Sequence, residues 1–227
     1  CHRRDCRERR QPHPAMLKRV LAHYASGLCA GTLIAIGGGV FLGCRSMGNV
    51  GQIAGAVFFT VALLCICLQG YALYTGRIGF IPEKHDAEAL SALFLGLAGN
   101  LSATMLWGLA VRYAIPSTAE AADAVAAAKL TQSFPQTLLR ATLCGVLMYL
   151  AVTVWRDRSK VVAILFCVPA FILAGFEHSI ADFFYFSAAA EFSGQMWLFT
   201  LAALLGNSVG AMLLPLLASV GKGRRAA

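Results

Sequence analysis

Residues 174–184 read AGFEHSIADFF and interrupt an apolar run, 161–190, that is otherwise almost free of charge. The interruption places three ionisable side chains, Glu177, His178 and Asp182, in a segment long enough to cross a membrane. Ionisable groups are costly inside a bilayer and commonly belong to ion pathways or proton relays. The stretch therefore predicts a broken membrane helix that carries a functional site.

The composition is that of an integral membrane protein. Of the 227 residues, 58% are hydrophobic and 13% are charged, whereas soluble domains are roughly one-quarter charged. Six apolar stretches are each long enough to cross about 30 Å of hydrocarbon as a helix. They cover residues 24–44, 51–73, 89–111, 136–155, 161–190 and 193–219. Because the connections between them are short, the sequence predicts a single all-α membrane domain.

The net charge of +8 does not indicate nucleic acid, because the basic residues follow a membrane topology. With a cytoplasmic N-terminus, 15 of the 19 Lys and Arg residues fall on the cytoplasmic side. The other four are Arg45, Arg112, Lys129 and Arg140. This asymmetry is what the positive-inside rule expects. We therefore expect a multi-pass protein of a prokaryotic cytoplasmic (inner) membrane, embedded in lipid, with both termini in the cytoplasm.

The two ends of the chain differ from the membrane domain, which is predicted to cover residues 24–219. Residues 1–23 are basic and predicted to be a disordered cytoplasmic segment, with the native start at or near Met16. Residues 220–227 form a predicted basic cytoplasmic tail. The eight cysteines include no Cys-x-x-Cys pair and lie mostly in apolar spans, which favours packing over metal or redox chemistry. No cofactor and no metal are predicted.

The chain contains two matching halves. Residues 69–80 read QGYALYTGRIGF, in which Gly70 precedes an aromatic residue, as Gly175 does in the second half. A Gly-Asn pair follows each glycine, ending at Asn100 and Asn207, and the glycine-to-glycine spacing is 29 residues in the first half and 31 in the second. Because each half has three spans, the halves run in opposite directions across the membrane. This pattern predicts a 3+3 inverted repeat whose helices 2 and 5 are interrupted at Gly70 and Gly175.

His178 is the strongest candidate for chemistry, since hydrocarbon offers no water to its ring nitrogens. Alternatively, it only hydrogen-bonds a neighbouring helix. Glu177 would point about 100° away on a helix, so it could serve the broken backbone or a neighbouring subunit rather than the pore. Asp182 lies four residues after His178, and on a continuous helix its carboxylate would face the imidazole and favour the charged ring. The same spacing is compatible with two metal ligands, although no third ligand is apparent.

Four further residues accompany the breaks. Asn100 and Asn207 lie in membrane segments, where each amide could satisfy backbone groups released by a break. The alternative is an interhelical hydrogen bond with small-residue packing. Thr75 and Arg77 follow the first break and supply a hydroxyl group and a cation, although Arg77 could equally be a positive-inside anchor.

Three classes of function are open on these residues alone. The first is a channel or transporter, and the second is an intramembrane metal-dependent enzyme that uses Glu177, His178 and Asp182. The third is a structural or anchoring membrane protein. That class explains six spans but not the polar residues at two matched breaks.

The stretch AGFEHSIADFF closely resembles the G-F-E-H-S-I-A-N signature of the formate/nitrite transporter family. ALYTGRIGF (72–80) resembles the loop that interrupts this family's second helix, and the Gly-Asn pairs occupy the family's positions. The resemblance covers about residues 24–219. It implies an aquaporin-like homopentamer, not an enzyme, with one pore through each protomer. Its substrates would be small monovalent weak-acid anions: formate, nitrite or hydrosulfide.

The resemblance also implies roles for individual residues. It makes His178 the central pore histidine, which pairs with the anion or protonates it, and Thr75 the hydrogen-bonding partner of that histidine. The residues implied for the apolar constrictions and the lining next to them are Phe59, Leu63, Phe171 and Met148.

Two residues depart from the usual family pattern. Asp182 replaces the usual Asn of the signature, and Arg77 stands where formate members usually have a small polar residue. Both departures look more like the short branch of the family that includes hydrosulfide channels.

Overall fold

The computed structural model describes residues 14–223, and these form an all-helical chain. The helices are α1 (Pro14–Arg45), α2 (Gly48–Gln69), α3 (Tyr74–Arg77), α4 (Ala87–Ala114), α5 (Pro116–Leu130), α6 (Phe134–Arg158), α7 (Val162–Leu173), α8 (Ser179–Ala188) and α9 (Gly194–Gly223). A 3₁₀ turn, Ile78–Phe80, follows α3. The predicted all-α fold is confirmed.

The predicted membrane spans correspond to these helices. Five of them, α1, α2, α4, α6 and α9, are long and apolar enough to cross a membrane. The predicted span 161–190 consists of two shorter helices, α7 and α8, separated by residues 174–178. The predicted span 51–73 is likewise helical only to Gln69, and irregular residues precede α3. The second and fifth membrane spans are therefore interrupted, as predicted.

The first helix starts earlier than predicted. α1 begins at Pro14, so residues 14–23 are helical and the prediction of disorder is wrong for them. The lack of apolar content before Met16 suggested disorder, but the lysine and arginine that follow, Lys18 and Arg19, are good helix formers with exposed side chains. Residues 1–13 and 224–227, which hold most of the predicted basic ends, lie outside the described part of the chain.

Helix α5 was not predicted. It lies between the third and fourth spans, begins with Pro116 at its first turn and is rich in alanine. One face is buried, through residues that include Ala122 and Val125, and packs against α8 and α1. This packing brings its C-terminal turn, which contains Lys129, to the break between α7 and α8.

Matching helices of the two halves pack through glycines. A side-chain carbon on Gly27 of α1 would collide with the backbone of Gly96 in α4. In the second half, a carbon on Gly145 of α6 would collide with the backbone of Asn207 in α9. Small residues allow such close backbone contact between membrane helices. The α1–α4 and α6–α9 pairs therefore form equivalent frames around the two breaks.

The two breaks have the same backbone geometry. Gly70 has φ +72° and Gly175 has φ +73°, in the left-handed region that glycine adopts without a steric penalty. The N–H of Tyr71 donates to the Ile66 carbonyl at 3.1 Å. In the second break, the N–H of Phe176, the residue after Gly175, donates to the Phe171 carbonyl at 2.9 Å. Both helices thus end in the same left-handed turn.

Candidate functional site

Asn100 holds the first break in place. Its side-chain oxygen accepts a hydrogen bond from the Tyr74 N–H at 2.9 Å. Its amide nitrogen donates to the Ala72 carbonyl at 2.8 Å and to the Gly27 carbonyl at 2.9 Å. The buried amide therefore satisfies backbone groups on both sides of the break and ties them to α1.

Asn207 does the same for the second break. Its side-chain oxygen accepts from the Ser179 N–H at 2.9 Å. Its amide nitrogen donates to the carbonyl groups of Glu177 and Ala141, each at 2.8 Å. Ala141 belongs to α6, the counterpart of α1, so the two asparagine networks repeat bond for bond. The two halves of the inverted repeat therefore match at the level of individual hydrogen bonds.

His178 lies at the end of the second break and precedes the first turn of α8. Its backbone is extended, with φ −106° and ψ 107°, and its Nδ1 accepts from the Ala181 N–H at 3.1 Å. Its Nε2 lies 2.8 Å from the hydroxyl oxygen of Thr75. Because Nδ1 is an acceptor, a neutral ring carries its proton on Nε2 and donates it to Thr75. The imidazole also stacks on Phe171, with ring centroids 5.5 Å apart.

The residues implied for the constriction lie together in the buried core. Phe59 and Leu63 of α2 are each 1% exposed, and Phe171 of α7 is 4% exposed. Phe59 and Phe171 meet edge to face, with ring centroids 6.3 Å apart. Met148 of α6 is 2% exposed and belongs to the same core. These four side chains therefore belong to one buried apolar cluster.

Two cavities of similar size border the apolar cluster of Phe59, Leu63, Phe171 and Met148. The first, of about 270 Å³, is lined by Phe171 and His178, and we call it the His178 vestibule. The second, of about 250 Å³, is lined by Leu63 and Arg77, and we call it the Arg77 vestibule. Each vestibule is thus lined by one residue of the apolar cluster and one polar residue of a break.

Charge is concentrated around the His178 vestibule. Three of the four basic residues that the charge pattern assigned to the far side of the membrane line it: Arg45, Lys129 and Arg140. In the Arg77 vestibule, Arg77 donates to the Gly70 carbonyl at 3.1 Å, which satisfies a backbone group at the first break. Arg156 lines the same vestibule and lies 3.9 Å from the ring centroid of Phe80.

Lys129 is the site residue that the sequence reasoning missed as a functional group. It forms ion pairs with Glu177 and with Asp182, the latter at 2.8 Å. Gln132 donates to the second oxygen of Glu177 at 2.7 Å. The sequence contained one signal for such a residue, since two carboxylates buried at membrane depth require a cation as partner. The cation lies 48 residues away in sequence, so local spacing does not identify it.

The predicted pairing of Asp182 with the imidazole is wrong. The prediction assumed a helix that continues through His178, but α8 begins only at Ser179. The Asp182 carboxylate binds Lys129 instead, while its backbone N–H donates to the His178 carbonyl at 2.8 Å. Within residues 14–223, no group of three His, Cys, Asp or Glu side chains is placed to hold a metal ion.

Comparisons with known proteins agree with this architecture. The family model described as "Formate/nitrite transporter" matches residues 13–220. The "Uncharacterized transporter YrhG" of Bacillus subtilis (strain 168) is 29% identical over 188 residues, which cover 74% of this chain and 68% of the relative. The "Nitrite transporter NirC" of Escherichia coli (strain K12) is 29% identical over 164 residues, which cover 66% of this chain and 60% of that protein.

A solved structure shares the fold. The "Pentameric formate channel with formate bound" superposes with a TM-score of 0.74 at 21% identity, over 89% of this chain and 96% of that one. At this identity the similarity concerns the fold.

Proposed function

The chain belongs to the formate/nitrite transporter family, and from this premise we propose that each protomer forms a pore for small monovalent weak-acid anions. Formate, nitrite and hydrosulfide are the candidate substrates. The observation that carries the proposal is the buried apolar cluster of Phe59, Leu63 and Phe171, which two cavities border and which lies beside the His178–Thr75 pair. We interpret this cluster as a constriction between two vestibules.

The apolar constriction selects for neutral species. A bare anion that passes Phe59, Leu63 and Phe171 loses its hydration, which costs on the order of several kcal/mol even after relaxation. A neutral weak acid loses much less. A weak-acid anion that gains a proton in a vestibule could therefore pass, whereas a strong-acid anion such as chloride could not.

The vestibules favour anions through their charge. Arg45 and Arg140 line one mouth, and Arg77 lines the other. The other two basic residues of the vestibules are already paired with carboxylates, Lys129 with Glu177 and Asp182 and Arg156 with Glu83 and Asp157. Positive charge in a cleft with apolar walls raises the local concentration of anions. Both entrances would therefore collect substrate before it reaches the constriction.

In this proposal, the His178 side chain is a neutral hydrogen-bonding group. Its Nδ1 is occupied by the Ala181 N–H, so the ring can gain a second proton only when that bond breaks. The Thr75 hydroxyl group accepts from Nε2 and can donate its own hydrogen to a substrate beside the constriction. We therefore assign His178 and Thr75 to substrate binding and place the proton donor elsewhere.

A flux assay tests the proposal. Purified protein in proteoliposomes is given inward gradients of formate, nitrite, hydrosulfide or chloride. The wild type is compared with Phe59→Ala, which opens the constriction, and with Phe58→Ala, a neighbouring exposed residue. We expect weak-acid flux without chloride flux in the wild type and in Phe58→Ala, and chloride leakage in Phe59→Ala. Absence of weak-acid flux in the wild type would refute the proposal.

We further propose a homopentamer in a prokaryotic cytoplasmic membrane, with both termini in the cytoplasm. The proposal draws on the pentameric neighbour and on the asymmetric distribution of basic residues. Many large apolar side chains on the outer faces of the helices are exposed, including Phe58 and Phe94, which suits contact with lipid or other protomers. Native mass spectrometry from detergent measures the protomer number directly.

A further inference from the structure

We propose that Glu177 and Asp182 form a carboxyl pair that shares one proton, and that this pair protonates weak-acid anions in the His178 vestibule. The inference deepens the proposed function and rests on it for the identity of the proton acceptor. The shared proton itself involves only Glu177, Asp182 and Lys129, so it can be tested independently of transport.

The two carboxyl groups lie close together in a nearly dry site. Both contact the ammonium group of the same residue, Lys129, and each side chain is only 3% exposed. An ionised carboxylate can only accept hydrogen bonds, so two ionised groups in contact would repel. A proton between them turns this repulsion into a hydrogen bond, which is how closely spaced carboxyl pairs in proteins behave.

The charge balance requires the same proton. Lys129 bridges both carboxyl groups, and its ammonium group is the cation that contacts them. Other neighbours of Lys129 are aromatic, with the ring centroids of Tyr185 and Phe199 at 5.7 and 5.8 Å. With one shared proton the three groups sum to zero charge, and without it they carry one uncompensated negative charge in a buried site. Such a charge is costly unless it is paired.

The hydrogen bonds indicate where the proton resides. Both oxygens of Glu177 accept hydrogen bonds, from Lys129 and from Gln132. Oδ1 of Asp182 accepts from Lys129, whereas its buried Oδ2 has no donor among the residues of 14–223. Oδ2 is therefore the oxygen of the pair that is free to carry the shared proton.

The titratable and charged groups around the pair come from several elements. They are Lys129 of α5, His178 of the break, Tyr185 of α8, Arg45 of α1, and Cys144 and Arg140 of α6. His178 has both nitrogens engaged by Ala181 and Thr75, so it does not compete as donor. Both carboxyl residues line the vestibule into which an anion enters.

The proposed step moves one proton. The O–H bond of Asp182 breaks, its electron pair stays on the carboxylate, and the proton binds an oxygen or sulfur atom of the anion. The neutral acid then enters the constriction. Glu177 and Asp182, now both ionised against Lys129, regain a proton from water in the vestibule, so each anion moves together with one proton.

Infrared spectroscopy of the reconstituted protein tests the shared proton. At neutral pH, where ordinary carboxyl groups are ionised, the wild type should show the C=O stretch of a protonated carboxyl group, and Asp182→Asn should remove it. Glu120→Gln, which changes an exposed carboxyl group on α5, is the matched control and should leave the band unchanged. If the wild type shows no such band at neutral pH, or if Asp182→Asn retains it there, the proposal is overturned.

Formate flux and proton uptake, measured in the same proteoliposomes, test the transfer. A positioned proton donor contributes about a hundredfold or more, so we expect Asp182→Asn and Glu177→Gln each to lose most proton-coupled flux and its pH dependence. A wild-type pH profile in Asp182→Asn would overturn the transfer step. If the wild type has the carboxyl band but moves none of the anions, the proposed function fails while the shared proton stands.

Discussion

Asn100→Ala and Asn207→Ala should destabilise the protein by similar amounts, because the two side chains make equivalent bonds. Each substitution removes three buried hydrogen bonds, two to the break and one to the paired helix. Side-chain hydrogen bonds inside membrane proteins average about 0.6 kcal/mol each and reach about 1.7 kcal/mol. Three such bonds give a loss of about 2 to 5 kcal/mol in the free energy of unfolding.

Thermal or chemical unfolding in detergent, followed by helical circular dichroism, measures this loss. Asn49→Ala is the matched control, since Asn49 is an exposed asparagine at the start of α2. We expect both buried variants to unfold well before the control and close to each other. If either one unfolds together with Asn49→Ala, the asparagine networks do not hold the breaks and the reasoning is refuted.

Two further predictions concern the same frame. Thr75→Val removes the hydroxyl group beside Nε2 of His178, and one lost hydrogen bond of about 1 kcal/mol should reduce weak-acid flux roughly fivefold relative to Thr75→Ser; equal flux in the two variants would contradict the assigned role. Gly175→Ala places a side chain at φ +73° and should cost about 1 to 2 kcal/mol in unfolding experiments. Gly43→Ala, in an open position of α1, should be neutral or slightly stabilising, and identical behaviour of the two glycine variants would disprove the strain argument.

Much of the fold could be predicted because membrane helices obey simple length and polarity rules. Apolar length located the six spans, and the repeated glycine and Gly-Asn signals located both breaks. The start of α1 was wrong because basic residues suggested a disordered end, although lysine and arginine are compatible with a helix. Composition near a membrane boundary does not distinguish an exposed helix from a disordered segment.

The site was less predictable because its partners are distant in sequence. The hydrogen bond between Thr75 and His178 and the ion pair between Lys129 and Glu177 each join different elements. The error at Asp182 came from applying helical spacing across a residue that precedes the helix. Helix α5 was missed because it is short and rich in alanine, yet it delivers the cation that the buried carboxyl groups require.

The asparagine networks align the two breaks residue by residue and show where their symmetry ends. Ala72 and Glu177 occupy equivalent positions, since each carbonyl accepts from the asparagine of its half. The next residues in the two breaks are then Leu73 and His178. One break therefore presents an apolar side chain where the other presents an ionisable one. The inverted repeat builds two equivalent frames that hold different side chains, and the second frame supplies the imidazole that hydrogen-bonds Thr75 of the first.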